Sequence, residues 1–587
     1  MLPFFCSNAG PNPPSVIALR VNQPTPAIVS QEAVRRLPRP ALLLLCLAYV
    51  VPGFLGREPW KNADVAGFGY MSALARGATS WLQPQLLGQD SASQSLLPYW
   101  LGAWAMKLSP SWVAADFAAR IPFLLLLALT LAATWYAVYY LARGPQAQPV
   151  SFAFGGEARP TDYARAIADG ALLALIASLG LLQLSHETTP ALAQLGFCTL
   201  CFFGLAALPY RPIAAIAGLS IGLGGLGLSG APALATLIGL GGALVQVQAI
   251  DGIESGVRAR TGVWVILAIS VLMGLGSWAL GLWHWRVVWP DANWAEWHSL
   301  GQLWLWFCWP AGPLALWTLW RWRRQRWSRH LALPLLFAGV GFAGSLSSAG
   351  SDRALLLALP AIAALAAFSL PTLSRSLSAL IDWFTLLFFS GGALFFWVYW
   401  VAAQSGVPNA AAASVARRFP GFIPSFSILP FLLACLATLA WIWLVRWRTG
   451  RQRAAIWKSL VLPASGTALC WLLAMTLWLP LADYTRSYAP LMRELSTHIQ
   501  PKACVQVHAM TRAQIAALQF HAGLDLEPAT WQAKCPWLLV NASAIEPARL
   551  QQASDLRHWT LVQTIQRPAD RQESVLLFRR IASEPTP

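Results

Sequence analysis

Two carboxylates, Glu58 and Asp64, stand six positions apart in a chain of 587 residues of which only 11% are charged. They lie in Gly56-Arg57-Glu58-Pro59-Trp60-Lys61-Asn62-Ala63-Asp64, directly after the first apolar stretch, Ala41 to Leu55. A carboxylate at a membrane–water boundary can orient or deprotonate an acceptor, and Lys61 adds a cation beside the pair. Other polar groups recur at the ends of apolar runs: Arg120, His186-Glu187, Arg353, and Asp483-Tyr484-Thr485-Arg486-Ser487-Tyr488. Cations so placed suit a phosphate, and a His beside a Glu suits a proton relay. Each also has a plainer reading. Arg353 can anchor at the interface by snorkelling, Arg120 can pair with Asp116 one turn earlier, and Asp483 to Tyr488 can form an interfacial belt. The His and carboxylate residues are too scattered to suggest a metal site.

The elements that must position these groups are membrane helices. The chain is 57% hydrophobic and contains 32 Trp. Its repeated apolar runs of about 20 residues match a hydrocarbon core of ~30 Å, whereas a β-barrel would show alternating segments of about ten. The +17 net charge does not imply nucleic acid, because the Arg residues sit in short loops between apolar runs.

Apolar runs predict thirteen spans, at about 40–56, 116–142, 166–185, 191–209, 212–228, 231–249, 263–283, 299–320, 331–349, 354–371, 379–402, 424–445 and 459–480. Residues 1–39 read as a cytoplasmic tail before a retained anchor helix, with no small-residue cleavage site after the apolar run. With the N-terminus inside, 21 basic residues fall in inside segments and 8 in the longer outside loops, so an odd span count leaves the C-terminus outside. The first outside loop, 57–115, carries two amphipathic stretches, Phe68 to Arg76 and Leu96 to Leu108, expected to lie along the membrane surface.

Residues 481–587 change character. Val505 to Val507, Trp537 to Val540 and Ser574 to Phe578 read as strands and Arg512 to Phe520 as a helix, giving a small α/β domain with its own core. Cys46, Cys198, Cys201, Cys308, Cys435 and Cys470 lie in apolar segments and read as small core residues. Cys504 and Cys535 lie in the polar domain; in an oxidising compartment they can pair as a disulfide, and otherwise they stay free. The expected fold class is a polytopic α-helical membrane protein of about thirteen spans (40–480) with a C-terminal periplasmic α/β domain (481–587).

The order Trp60 and Asp64, an amphipathic helix, Trp81 and Pro84, Tyr99-Trp100, then Arg120 opening the next span resembles the lipid A aminoarabinose transferases. Those belong with the protein O-mannosyltransferases in the GT-C class of membrane glycosyltransferases. The resemblance implies transfer of a sugar from a polyprenyl (undecaprenyl) phosphate carrier to lipid A or another glycan or protein acceptor. The reaction would run at the outer face of the bacterial inner membrane, with no cofactor beyond the lipid-linked donor. It makes Asp64 the catalytic acid. Glu58, Lys61, Arg120, His186, Glu187, Arg353, Arg486 and Tyr488 become candidate substrate-binding residues. The chain departs from the family where an Asp-Glu pair is usual, having Ala63-Asp64-Val65. Gln94 stands where a Lys is often found, Ser229-Gly230 replaces a Lys-Gly element, and Thr188-Thr189-Pro190 lies where an Asp is frequent. The 284–298 loop keeps His284, Arg286, Asp291 and His298 without a clear basic signature.

A non-catalytic flippase or an inactive paralogue is the alternative. A flippase would want acids within the spans, yet the apolar runs are almost free of them, and Asp382 sits near a cytoplasmic end.

Overall fold

The computed structural model describes residues 25–60, 62–250, 256–283, 287–291, 293–449, 455–530, 535–542, 558–567 and 570–581. Each of the thirteen apolar stretches carries helix. The first stretch holds α1 (Arg39–Val50). Two helices of the long loop follow, α2 (Ala63–Arg76) and α3 (Leu97–Leu108), separated by a small hairpin of β1 (Gln85–Leu86) and β2 (Gln89–Asp90). Then come α4 (Ala115–Ala142), α5 (Pro160–Ala177), α6 (Pro190–Ala207), α7 (Pro212–Leu228), α8 (Pro232–Ile250) and α9 (Gly256–Ala279). The eighth stretch is broken into α10 (Trp294–Phe307) and α11 (Ala311–Arg321), and α12 (Arg329–Leu346) follows. The tenth stretch runs from α13 (Asp352–Leu355) through a 3-10 turn at Leu356–Ala358 into α14 (Leu359–Ser369) and counts as one span. After α15 (Arg375–Ser405) comes the short α16 (Asn409–Arg418), then α17 (Ile428–Thr449) and α18 (Lys458–Thr476). Among the described residues eight helices are long and apolar enough to cross a membrane, nine if one bent pair counts as a single span. That pair is α5 with Leu179–His186, bent by 63°. The bend replaces the continuous span expected at 166–185 and carries residues 183–189 back toward the first loop.

Connecting segments gather at two ends of the bundle. At one end residues 25–38 are not a loose tail. Ser30 bridges Glu157, the Arg36 guanidinium pairs with Asp162 at 3.2 Å, and the Trp457 indole donates to the Arg35 carbonyl at 2.7 Å. At the other end lie 51–60, 62–64, 183–189, Arg353, and α19 (Leu479–Arg486) with α20 (Ala489–Leu495).

The C-terminal region forms a five-stranded sheet in the order β4-β3-β5-β7-β6, from β3 (Cys504–His508), β4 (Asp525–Pro528), β5 (Trp537–Asn541), β6 (Trp559–Arg567) and β7 (Asp570–Arg580). β3 runs parallel to β4 and β5, while β7 is antiparallel to β5 and β6. The helix α21 (Arg512–His521) opens on a capping box in which Thr511 and Gln514 satisfy each other's backbone N–H. It packs on α2, with the Phe68 and Phe520 rings edge-on at 4.7 Å. This contact seats the small domain on the helix that begins at the candidate acid.

Candidate active site

The first loop is built around one buried ion pair. Arg57 is almost fully buried, and its Nη1 lies 2.5 Å from Asp64 Oδ2, with both side chains 1% exposed. Arg57 Nε also donates to the Gly53 carbonyl at 2.8 Å and Nη2 to the His186 carbonyl at 2.5 Å. Asp64 sits in the first turn of α2, where the helix dipole favours a negative charge. Its Oδ2 also accepts the Trp60 backbone N–H at 3.0 Å, and Oδ1 accepts both the N–H and the hydroxyl of Thr188 at 2.6 Å. A carboxylate offers about four lone-pair positions, and all of these are taken. Burial works to raise the Asp64 carboxyl, but the Arg57 charge and hydrogen bond, with help from Arg120 and Thr188, bring it down to about 2. Instead of facing an open site, Asp64 welds the first loop to the 186–188 turn. Two glycines permit this approach. A Cβ on Gly53 would stand 2.2 Å from the His186 ring, and one on Gly67 would stand 2.5 Å from the Thr188 carbonyl oxygen.

His186 does not relay protons to Glu187. Its Nδ1 lies against the Leu182 carbonyl at 2.5 Å and its Nε2 against the Tyr49 carbonyl at 3.1 Å. The ring is wedged among Tyr49, Phe54 and Trp471. The neighbouring Glu187 turns the other way. Its Oε1 accepts Gln183 Nε2 at 3.1 Å and its Oε2 accepts Arg353 Nη2 at 2.9 Å. Burial, then the Asp64 charge, push the Glu187 carboxyl up against the pull of Arg353. Arg353, 39% exposed, is thus held mainly by Glu187, with Asp352 4.0 Å from its Nη1, while part of the side chain faces outward.

Arg120, in α4, pairs with Asp116 at 3.0 Å across one helical turn and is 3% exposed. Arg486 is different. Its guanidinium is exposed and has no carboxylate within ion-pair distance among the described residues; it lies 5.2 Å from the Trp60 ring centroid. Partial burial lowers its pKa, while the Glu187 charge works to raise it. Trp60 also carries the Arg57 guanidinium, 4.9 Å from its centroid. One indole therefore organises a buried, paired arginine and an open, unpaired one.

Asp483 is the residue that sequence reasoning passed over. Its Oδ1 accepts the Trp60 indole N–H at 2.8 Å and the Glu58 backbone N–H at 3.2 Å. A backbone bridge between Trp60 and Ser487 closes the same junction. The signal was present: Asp483 is the only acid between Asp382 and Glu494. Glu58 is half-buried beside it, and its carboxylate has no hydrogen-bond partner among the described residues.

Tyr488 offers nothing to a substrate. It is fully buried, its hydroxyl reaches Glu573 Oε1 at 2.5 Å and Asn62 Oδ1 at 3.3 Å, and Arg567 stacks over its ring at 5.2 Å. It fastens the small domain to the first loop. Lys61, His284 and Arg286 lie outside the described residues. The sulfurs of Cys504 and Cys535 are bonded, tying β3 to the start of β5. The one group of potential metal ligands among the described residues, Cys504, Glu527 and Cys535, has both its sulfurs in that bond.

Helical bundle, two first-loop helices and small sheet domain together define the class, a multi-span membrane protein with a small C-terminal sheet domain. No known family description matches the sequence, and no curated protein does. Solved structures do match. The chain is similar to the crystal structure of ArnT from Cupriavidus metallidurans bound to undecaprenyl phosphate, at 15% identity, covering 93% of this chain and 99% of that one with a TM-score of 0.58. The same protein in the apo state matches at 15% identity, 93% and 98% coverage, and a TM-score of 0.57. This is the fold that the resemblance of the first loop implied.

Proposed function

We propose that this protein transfers a sugar from a polyprenyl (undecaprenyl) phosphate carrier to an envelope acceptor such as lipid A, at the periplasmic face of the bacterial inner membrane. The observation that carries this reading is the pair Arg353 and Arg486, both with exposed guanidinium surface and both bearing on Glu187, in a fold shared with a protein crystallised with undecaprenyl phosphate. A departing lipid phosphate gains negative charge as the glycosidic bond breaks. Cations already fixed at that position stabilise the change without reorganising. Glu187 fixes Arg353, Trp60 fixes Arg486, and Asp64 with Arg57 fixes the turns that carry them. In this reading Asp64 positions the site and does not take a proton.

The gathering of 25–38, 145–162 and 455–458 at one end supports the orientation proposed here. Those segments hold Arg35, Arg36, Arg159 and Lys458, with Arg39, Arg143 and Arg165 at their margins, so in this reading that end is cytoplasmic and the Asp64 end with the C-terminal domain is periplasmic. The test is mass spectrometry of lipid A and of polyprenyl-phosphate lipids from cells with and without the gene. Loss of a sugar from lipid A with accumulation of its carrier-linked form supports transferase and acceptor together. An accumulating carrier sugar with unchanged lipid A moves the acceptor to another glycan or a protein. No change in either lipid would overturn the transferase reading.

A further inference from the structure

Five acids lie around Trp60 and Arg57, namely Glu58, Asp64, Asp116, Glu187 and Asp483, and three of them are poorly placed to receive a proton. Asp64 has every acceptor position filled. Glu187 is 3% exposed, with Gln183 on one oxygen and Arg353 on the other. Asp116 is held by Arg120. Asp483 uses a single oxygen for both its hydrogen bonds, and its Oδ2 has no partner among the described residues. Asp483 and Arg486 lie three residues apart on α19, a spacing that places them on one helix face. The same indole fixes both, its N–H bonded to the acid and its ring beneath the cation.

Resting on the transferase reading above, we propose that Asp483 is the proton acceptor for the acceptor substrate and that the attacking group is a hydroxyl. The acceptor oxygen forms its bond to the sugar anomeric carbon as the bond from that carbon to the carrier phosphate oxygen breaks. The electron pair leaves with the phosphate, whose added charge meets Arg486 and Arg353. The hydroxyl proton passes to Asp483 Oδ2. Glu58, half-buried beside Asp483, also has a carboxylate without a hydrogen-bond partner among the described residues, but it is Asp483 that the Trp60 indole ties to the face carrying Arg486, and Glu58 serves as the neighbouring charge. The charged groups facing Asp483 are Glu58 and Arg57 from the first loop, Arg120 from α4 and Arg486 on its own helix, while His521 of α21 faces Glu58. Burial foremost, opposed by the Trp60 bond and reinforced by Glu58, pushes the Asp483 carboxyl up to about 6. That places its proton-accepting form in command at neutral pH.

The test uses right-side-out spheroplasts of gene-deleted cells carrying the wild type, Asp483→Asn, Asp483→Glu or Trp60→Phe, in buffers from about pH 5 to 8, a range that brackets the Asp483 titration. The readout is consumption of the accumulated native polyprenyl-phosphate sugar, with membrane protein level measured alongside. Wild-type turnover should fall about tenfold per pH unit below pH 6. Asp483→Asn should lower turnover by about 10²–10⁴-fold and abolish the acidic limb, and Asp483→Glu should restore the limb. Trp60→Phe removes a bond that favours the ionised acid, so its limb should move to higher pH; this keeps the test open if Asp483→Asn fails to accumulate. An acidic limb that persists in Asp483→Asn, or stays fixed in Trp60→Phe, overturns the assignment. If the wild type consumes no carrier sugar, the transferase reading itself fails, an outcome distinct from a wild type that turns over with the limb unchanged by substitution.

Discussion

Replacing Asp64 with asparagine should destabilise the protein before it says anything about chemistry. Asparagine has one acceptor oxygen where aspartate has two, and its amide adds donors. Whichever way it turns, that amide faces either Thr188, which donates through N–H and hydroxyl, or Arg57 and the Trp60 N–H. Arg57 is then left charged, unpaired and fully enclosed. Removing one partner of a buried, hydrogen-bonded ion pair costs about 3–5 kcal/mol. Adding Arg57→Gln removes the stranded charge, so the double variant should be more stable than the two single losses predict, with a coupling of about 1–3 kcal/mol. Thermal unfolding of the four proteins in detergent, followed by tryptophan fluorescence, measures this cycle. The effect carries a pH signature. Asp64 is held at about 2 in the fold, against 3.8 ordinarily, so its contribution is complete above about pH 4 and is lost as pH falls through 2. A variant Asp64→Asn that melts with the wild type, still binds polyprenyl phosphate and yet does not turn over would refute this reasoning and return Asp64 to the chemistry.

Four further outcomes follow from individual contacts. Gly67→Ala gains helix propensity of about 1 kcal/mol, but its Cβ meets the Thr188 carbonyl oxygen at 2.5 Å, so overpacking of about 1–3 kcal/mol should prevail; a variant more stable than wild type, by the same melting assay, contradicts the close approach. Arg486→Ala should weaken binding of undecaprenyl phosphate by about 10- to 100-fold, the equivalent of a charged hydrogen bond, without a loss of melting temperature, because no acid depends on it. Arg353→Ala should weaken the same binding and also lower stability, since Glu187 loses its cation; equilibrium binding and melting on both variants separate the two cases. Replacing Cys504 and Cys535 by Ser releases a closed loop of 31 residues, worth about 3–4 kcal/mol to the small domain, and should raise hydrogen exchange along β3 and β5; unchanged protection there would contradict it.

The membrane scaffold was legible because the bilayer imposes a length on every apolar run. The thirteen stretches each carry helix, eight helices among the described residues (nine with the bent pair) being long and apolar enough to cross, and the two helices of the first loop were found from their own patterns, with α2 starting five residues earlier than expected. What the pattern could not show was where helices break. The turn after Ala177 and the break between α10 and α11 lie in runs that read as continuous, because apolar residues line both sides of each. In the small domain β4 and β6 were missed. β6 alternates weakly, with Thr560, Leu561 and Val562 all exposed, as befits a strand at the sheet edge.

At the site, sequence position identified Asp64, Arg120, Glu187, Arg353 and Arg486 as neighbours of one junction but not their orientations. Trp60 and Asp483 meet across 423 residues, which no local spacing reveals. His186 and Tyr488 were candidates by type and place, and packing decided against both. Three aromatic rings enclose His186, and Glu573 with Arg567 claims Tyr488. Arg57, the partner that gives Asp64 its character, drew no notice because an arginine beside a span ordinarily reads as a topology signal.

The most direct measurement is a reconstituted reaction. Polyprenyl-phosphate sugar extracted from gene-deleted cells is added to the purified protein together with outer-membrane lipid and glycan from the same cells, and the lipids are followed by mass spectrometry. The account predicts that free polyprenyl phosphate appears one-for-one with a glycosylated acceptor, and that Arg353→Ala combined with Arg486→Ala stops both. Donor that binds to the wild type but is never consumed, with every envelope acceptor present, would contradict it.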